Sequence, residues 1–185
     1  MEQHIPESVT KLLKSKEGEV LKLDIGCGDN TERGIGWIGM DIVPFESVDV
    51  VHDIEQYPWP FPDQTFTLLS SAHVIEHLNP LNKGIVKFMD EAWRVLKYDG
   101  QFRISTPHAG SLGFWSDPTH VKGFTPRSFM YFDPLHPANL YRVYEPKPWQ
   151  IQQCFWSPEG NLEVLMAKRR DDPSYHVYHN YRKLR

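Results

Sequence analysis

The sequence predicts an α/β chain built on a mostly parallel sheet of about seven strands. It also predicts a C-terminal antiparallel hairpin and a first crossover helix that is shortened or missing. Three observations carry this. Val20-Leu-Lys-Leu-Asp-Ile-Gly-Cys-Gly-Asp29 reads as a buried strand running into a tight Gly-x-Gly turn, because Leu21, Leu23 and Ile25 alternate with polar positions. An apolar stripe at helical spacing, Ile85, Phe88, Met89, Ala92, Trp93 and Leu96, lies between two strand-like runs. Pro148 to Trp156 and Asn161 to Lys168 alternate around Ser157-Pro-Glu-Gly160, a hairpin signal.

The elements follow in order. Residues 5–16 read as a short helix, with Pro6 in its first turn, Ile5, Val9, Leu12 and Leu13 on one face, and Gly18 as its stop. After the glycine turn only about a dozen residues, Gly34 and Gly36 among them, precede the second strand, Trp37 to Ile42. A helix of ordinary length does not fit there. Val48 to Val51 is a third short strand. Tyr57-Pro-Trp-Pro-Phe-Pro62 is too proline-rich for regular structure and reads as a rigid aromatic loop. Phe66 to Ser71 is a fourth strand, and Ala72 to Leu78 after it reads as helical. Asn79 caps and Pro80 opens the striped helix, which runs to residue 97 and stops at Asp99-Gly100. Gln101 to Thr106 is a fifth strand. A long loop from Pro107 to Phe124 leads to a short helix opened by Thr125-Pro126 and reaching Phe132.

The chain of 185 residues suits one domain, expected over 1–168, with a tail over 169–185. Net charge is −4, which argues against a nucleic-acid or anionic-membrane field. The tail differs: Arg169, Arg170, Arg182, Lys183 and Arg185 stand against Asp171 and Asp172, with Tyr175, Tyr178 and Tyr181 between. A solvated or partner-docked terminus is the expected reading of this tail. Only two cysteines, Cys27 and Cys154, and no secretory apolar stretch point to a reducing, cytoplasmic setting. No run approaches the ~18 apolar residues of a membrane span.

Gly26 and Gly28, lacking side chains, let the backbone pass close to a ligand at the carboxyl end of a strand. Asp41, at the end of strand two, can accept hydrogen bonds from vicinal ribose hydroxyls. Asp53 follows the third strand and reads either as a ligand contact or as a turn cap.

An ordered series of segments resembles the class I S-adenosylmethionine-dependent methyltransferases, of the small type 11 kind known from bacteria and phages. The series is Leu23-Asp-Ile-Gly-Cys-Gly28, Gly39-Met-Asp41, His52-Asp-Ile54, Trp59-Pro-Phe-Pro-Asp63 with Phe66, Val74-Ile-Glu-His-Leu78, and Glu91-Ala-Trp-Arg-Val-Leu96 leading to Asp99-Gly100. The resemblance runs from about residue 20 to 168. It implies a Rossmann-like fold and S-adenosyl-L-methionine as cofactor. It further implies that Asp24, with backbone at Gly26, Cys27 and Gly28, faces the methionine part. Asp41 would hold the ribose, Asp53 the adenine amino group and Ile54 backbone the ring, with Ile42 packing on the base. Ser71 or Ala72 would offer backbone to the amino-acid end. Asp117 to Pro126 also looks like a loop of members acting on sugars or other small metabolites.

The expected function is methyl transfer to an oxygen or nitrogen of a small polar acceptor, a sugar or nucleotide sugar among them. For a hydroxyl acceptor the demands are alignment at ~3–3.5 Å and removal of a proton. Histidine suits that base near neutral pH. His120 and His108, then His73, are the candidates, with Trp115 and Phe124 as walls. His77, beside Glu76, reads as structural, as do Glu91, Trp93 and Leu96. His73 and His77 stand four apart, a spacing that can grip a metal, but no further ligands are identifiable and no metal is expected. A nicotinamide dehydrogenase would need a glycine at position 31, where Thr31 stands. The alternatives are a binding protein that holds cofactor or partner without catalysis, and a nucleic-acid methyltransferase. Ser70-Ser-Ala-His73 stands where base-methylating enzymes carry an Asn-Pro-Pro-Tyr type motif.

Overall fold

A computed structural model describes residues 4–170. From 171 onward the basic tail lies outside the described residues. Seven strands form one sheet: β1 Lys22–Ile25, β2 Trp37–Asp41, β3 Val50–Val51, β4 Phe66–Ala72, β5 Leu96–Pro107, β6 Trp149–Trp156 and β7 Asn161–Lys168. Their order is β3-β2-β1-β4-β5-β7-β6. The first five pair in parallel, whereas β7 runs antiparallel to both β5 and β6. Four short helices accompany them: α1 Glu7–Ser15, α2 Gly84–Val95, α3 Leu112–Ser116 and α4 Pro126–Phe129. This is the Rossmann-like sheet, closed by its hairpin, that the alternation patterns predict.

The first crossover carries no helix, in agreement with its glycines. Arg33, in that loop, packs back on β2. Its guanidinium lies over Gly39, where a Cβ would come within 2.4 Å of Cζ. It donates to the Ser47 carbonyl and faces Asp49 at 3.6 Å. The β2–β3 connection is likewise a loop.

The core lies between the sheet and α2. Phe88, Met89, Ala92, Trp93 and Val95 of α2 are buried. The proline-rich loop contributes Trp59 and Phe61, both fully buried. Phe88 sits edge-on to Trp59 at 5.4 Å and beside Phe102 at 6.1 Å, and Phe102 meets Trp149 at 5.9 Å. Glu91 ties the loop to the helix. Its carboxylate accepts from the Trp59 amide at 2.6 Å and from the Arg94 guanidinium, which also reaches Asp63 at 2.7 Å.

Several boundaries depart from the sequence reading. Asn79 and Pro80 do not open the helix as expected: the Asn79 side chain accepts from the Leu81 amide at 2.9 Å in a local turn, Pro80 stands before a 3-10 turn, Leu81–Lys83, and neither caps α2. The α-helix begins only at Gly84, after Lys83 adopts φ +59°, because a side chain at 84 would meet the Asn79 carbonyl at 2.2 Å. Asp99-Gly100 does not end the helix, since α2 stops at Val95 and passes directly into β5. Residues 97–100 form a bulge, with Phe66 opposite Leu96 but Leu68 opposite Gln101, and Asp99 takes φ +63°. The stretch Ala72 to Leu78 is not a helix: β4 includes Ala72, His73 has φ +56°, and only Ile75–His77 make a single 3-10 turn. The helix expected to reach Phe132 ends at Phe129, and the long loop holds α3. No helix among the described residues is long and apolar enough to cross a membrane.

Candidate active site

The parallel strands end on one edge of the sheet, and the segments that leave them gather there. Gly26 follows β1, Ile42 follows β2, His52 and Asp53 follow β3, and His73 follows β4. Together with Asp41, Ile54, Glu55, Val74, His77 and Leu78 they line a cavity of about 240 Å³.

Gly26 takes φ +67°, and a Cβ there would come within 2.3 Å of Val74 Cγ2. The amides of Gly26 and Cys27 both donate to the Met40 carbonyl, at 2.8 and 3.2 Å. The Gly28 amide donates to Asp41 Oδ2 at 2.8 Å, and the Val43 amide to Oδ1 at 2.9 Å. These bonds aim the Asp41 carboxylate. A carboxylate offers about four acceptor positions, so two remain for a ligand. Asp53 serves its own turn and also faces the cavity. It accepts from the Glu55 amide at 2.9 Å within its own turn, and it lines the cavity. Ile42 is 62 % exposed, an apolar side chain on the cavity wall.

The other candidates are placed differently. Asp24 is half-buried on β1, and burial raises its carboxyl above the usual range against the opposing pull of Arg33. Ser71 and Ala72 line a neighbouring cavity of about 430 Å³ that opens between β4, β5, β7 and β6, beside Arg103, Gln153 and Glu163. His108 stacks on Trp156 at 3.9 Å and accepts from the Gly110 amide at 3.0 Å. Phe124 is buried. Trp115 is 75 % exposed, at the mouth of a third cavity of about 550 Å³. That cavity is lined by Ala109, Phe114, Asp117, Pro118, His120, Val121 and Gly123 besides.

His73, His77 and His120 converge on Glu76. Its side chain is fully buried, and Oε2 accepts from Thr106 Oγ1 at 3.0 Å. Oε1 faces His73 Nδ1 at 3.4 Å and His120 Nε2 at 3.9 Å but makes no hydrogen bond. The rings of His77 and His120 meet edge-on, 4.8 Å apart. The Asp117 carboxyl, 3.7 Å from His120 Nε2, is held below the usual range by the Thr119 hydroxyl and amide. Sequence reasoning missed Glu76 altogether and set His77 aside. The signal available was the Glu-His pair directly after a strand end.

The comparisons with known proteins agree with this fold. Residues 23–104 match the family model described as a methyltransferase domain. No curated protein matches the chain by sequence. Among solved structures, a SAM-dependent methyltransferase from Archaeoglobus fulgidus is similar at TM-score 0.59 and 21 % identity, over 86 % of this chain and 91 % of that one. An S-adenosylmethionine-dependent methyltransferase from Mesorhizobium loti follows at TM-score 0.55 and 15 % identity, over 87 % and 98 %. The 1,6-didemethyltoxoflavin-N1-methyltransferase of Burkholderia thailandensis, solved with its substrate and S-adenosylhomocysteine, gives 0.56 and 15 %, over 89 % and 78 %. The strand order and the solved structures give the chain the fold of the class I S-adenosylmethionine-dependent methyltransferases, and the methyltransferase family model matches somewhat under half of its length. The cofactor of that class is S-adenosylmethionine.

Proposed function

We propose that this chain transfers a methyl group from S-adenosylmethionine to an oxygen or nitrogen of a small polar acceptor. The observation that carries the reading is the shared cavity of Gly26, Asp41 and Asp53. It brings two carboxylates from successive strand ends to one cleft, with an apolar wall at Ile42. Asp41 would hold the ribose hydroxyls, and Asp53 with the Ile54 backbone the adenine. The cavity is smaller than the ~300–1,000 Å³ of a typical small-molecule site, so it suits the nucleoside part. The methionine part would extend past Gly26 toward Asp24, Ser71 and Ala72. When bound, the cofactor supplies an electrophilic methyl on a sulfonium centre.

The larger cavity beside Trp115, Asp117 and His120 is the place for the acceptor. A planar aromatic side chain beside a carboxylate suits a sugar or another polyhydroxylated metabolite, with Asp117 accepting from hydroxyls. His120 and His73 are the groups positioned to take the acceptor's proton. His108, stacked on Trp156, is assigned a supporting place in the loop. The chain's charge of −4 favours a small acceptor over a nucleic acid.

The test is a calorimetric titration of the purified chain with S-adenosylmethionine, then a screen of sugars and nucleotide sugars for release of S-adenosylhomocysteine. Binding of the cofactor and turnover on one acceptor class support the reading. Absence of cofactor binding sinks it. Binding with no turnover on any small acceptor favours a non-catalytic binding protein.

A further inference from the structure

The buried Glu76 carboxylate faces ring nitrogens that have lone pairs to offer. The His120 Nδ1–H donates to the Phe114 carbonyl at 2.8 Å. The Thr119 hydroxyl donates to Asp117 Oδ1 at 2.6 Å, so its oxygen accepts from the His77 Nδ1–H at 3.1 Å, with the Thr119 carbonyl at 3.3 Å. Each ring is thereby set in the tautomer that leaves Nε2 unprotonated. In metal sites the same arrangement, a ring N–H bonded to a carbonyl, aims the other nitrogen at the ion. Glu76 Oε1, fully buried and without a hydrogen bond, is the third donor. One ligand atom from each of Glu76, His77 and His120 lies within 4.8 Å of the others.

We infer that Glu76, His77 and His120 form a binding site for a divalent transition-metal ion of the zinc type. Two imidazoles and a carboxylate are the donor set that such borderline ions take. Donors around a tetrahedral ion with bonds of ~2.0 Å stand about 3.3 Å apart. The 3.9 Å between Glu76 Oε1 and His120 Nε2 is a slightly open form of that spacing. Three protein ligands leave a coordination position vacant, the pattern of catalytic rather than structural sites. His73, 54 % exposed with Nδ1 3.4 Å from Glu76, stands at its margin, as does Asp117.

The location gives the ion a use. His77 lines the cavity assigned to the cofactor, and His120 the cavity assigned to the acceptor. With the ion bound, His120 Nε2 is a ligand and no longer a proton acceptor: the ion would hold an acceptor oxygen and make its hydroxyl more acidic, and His73 would take the proton. That use rests on the methyl-transfer reading, whereas the site itself does not.

Chelator-stripped, tag-free full-length protein is titrated with Co²⁺, read by its d–d absorption, and with Zn²⁺, read by calorimetry. One equivalent should bind in tetrahedral or five-coordinate geometry. His77→Ala and Glu76→Gln should each weaken binding at least ~10–100-fold, with circular dichroism and thermal melts checking that both fold. Glu76→Gln retains a group that can pair with Thr106, and His77 is exposed, so one variant stays informative if the other misfolds. No stoichiometric binding by the wild type, or binding unchanged in a folded variant, overturns the site. S-adenosylmethionine binding is measured on the same metal-free sample. Cofactor binding without metal binding defeats only this inference, and metal binding without cofactor binding defeats only the function proposed above.

Discussion

The Gly28 amide and the Asp41 carboxylate are joined by a 2.8 Å hydrogen bond across 13 residues of chain. The turn after β1 and the acid at the end of β2 are therefore one unit. Asp41 is aimed by the glycine turn, and the turn is held by Asp41. Replacing Asp41 with Ala removes both functions. Hydrogen bonds to a charged group contribute about 1.5–3 kcal/mol each. Cofactor affinity should thus fall at least ~10-fold in a calorimetric titration, with a lowered melting temperature as the Gly28 and Val43 amides lose their acceptor. Asp41→Asn, which keeps one acceptor oxygen, should lie between. Unchanged affinity in Asp41→Ala would remove the ribose role.

Gly26→Ala tests the other wall. Its φ of +67° strains any L side chain, and the added methyl overlaps Val74, itself a cavity wall. Strain of this kind costs ~1–3 kcal/mol. Both stability and cofactor affinity should drop. Val74→Ala in the same chain should recover part of the affinity by making room, leaving the backbone strain in place.

The cavity of Gly26, Asp41 and Asp53 was legible in the sequence because its parts are local. Gly26, Asp41 and Asp53 each sit at the end of a strand whose alternation is readable. The cluster around Glu76 was not, although His120 itself was a candidate. Glu76 is tied to Thr106, 30 residues away, and faces His120, 44 residues away. No periodicity announces such a meeting. Reading 72–78 as a helix paired His73 with His77 at four-residue spacing, a pairing the single 3-10 turn does not make. In the fold, the existence of the strands and the C-terminal hairpin were readable, while the junction from α2 to β5 was not. There Asp99-Gly100 carries the residues of a helix stop but serves a bulge inside a strand.

His120→Ala separates the two halves of the site. His120 lines the cavity beside Trp115 and does not line the one holding Asp41 and Asp53. Cofactor affinity should stay within about twofold, while turnover should fall ~10²–10⁴-fold, the usual worth of a positioned proton acceptor. Full turnover in this variant would exclude His120 from the acceptor side.

Glu91→Ala should be the most destabilising of these changes. Glu91 is buried and accepts from Trp59 and Arg94, so its loss takes a carboxylate acceptor from both the guanidinium and the Trp59 amide in the core. Breaking such a pair costs ~3–5 kcal/mol. At ~2–4 °C per kcal/mol for a chain of this size, the melting temperature should fall by about 6–20 °C. A melt within ~2 °C of wild type would contradict the network's role in holding the Trp59 loop.

Lys168 gives the chain a pH signature. Its Nζ donates to the Leu96 carbonyl at 2.6 Å and lies 3.8 Å over the Trp93 ring, and burial lowers the ammonium from 10.5 to about 8. Below pH 8 both folded and unfolded chains carry the proton, and the folded one bears the cost of a desolvated charge. Between about 8 and 10.5 the unfolded chain binds more protons than the folded one, so stability rises with pH through that window. Lys168→Met lacks this titration. The stability difference between wild type and variant, from urea unfolding at about pH 7 and about pH 9.5, should therefore move in favour of the wild type at the higher pH. Because other groups titrate alike in both chains, a difference independent of pH would show that Lys168 keeps an ordinary ammonium despite its burial.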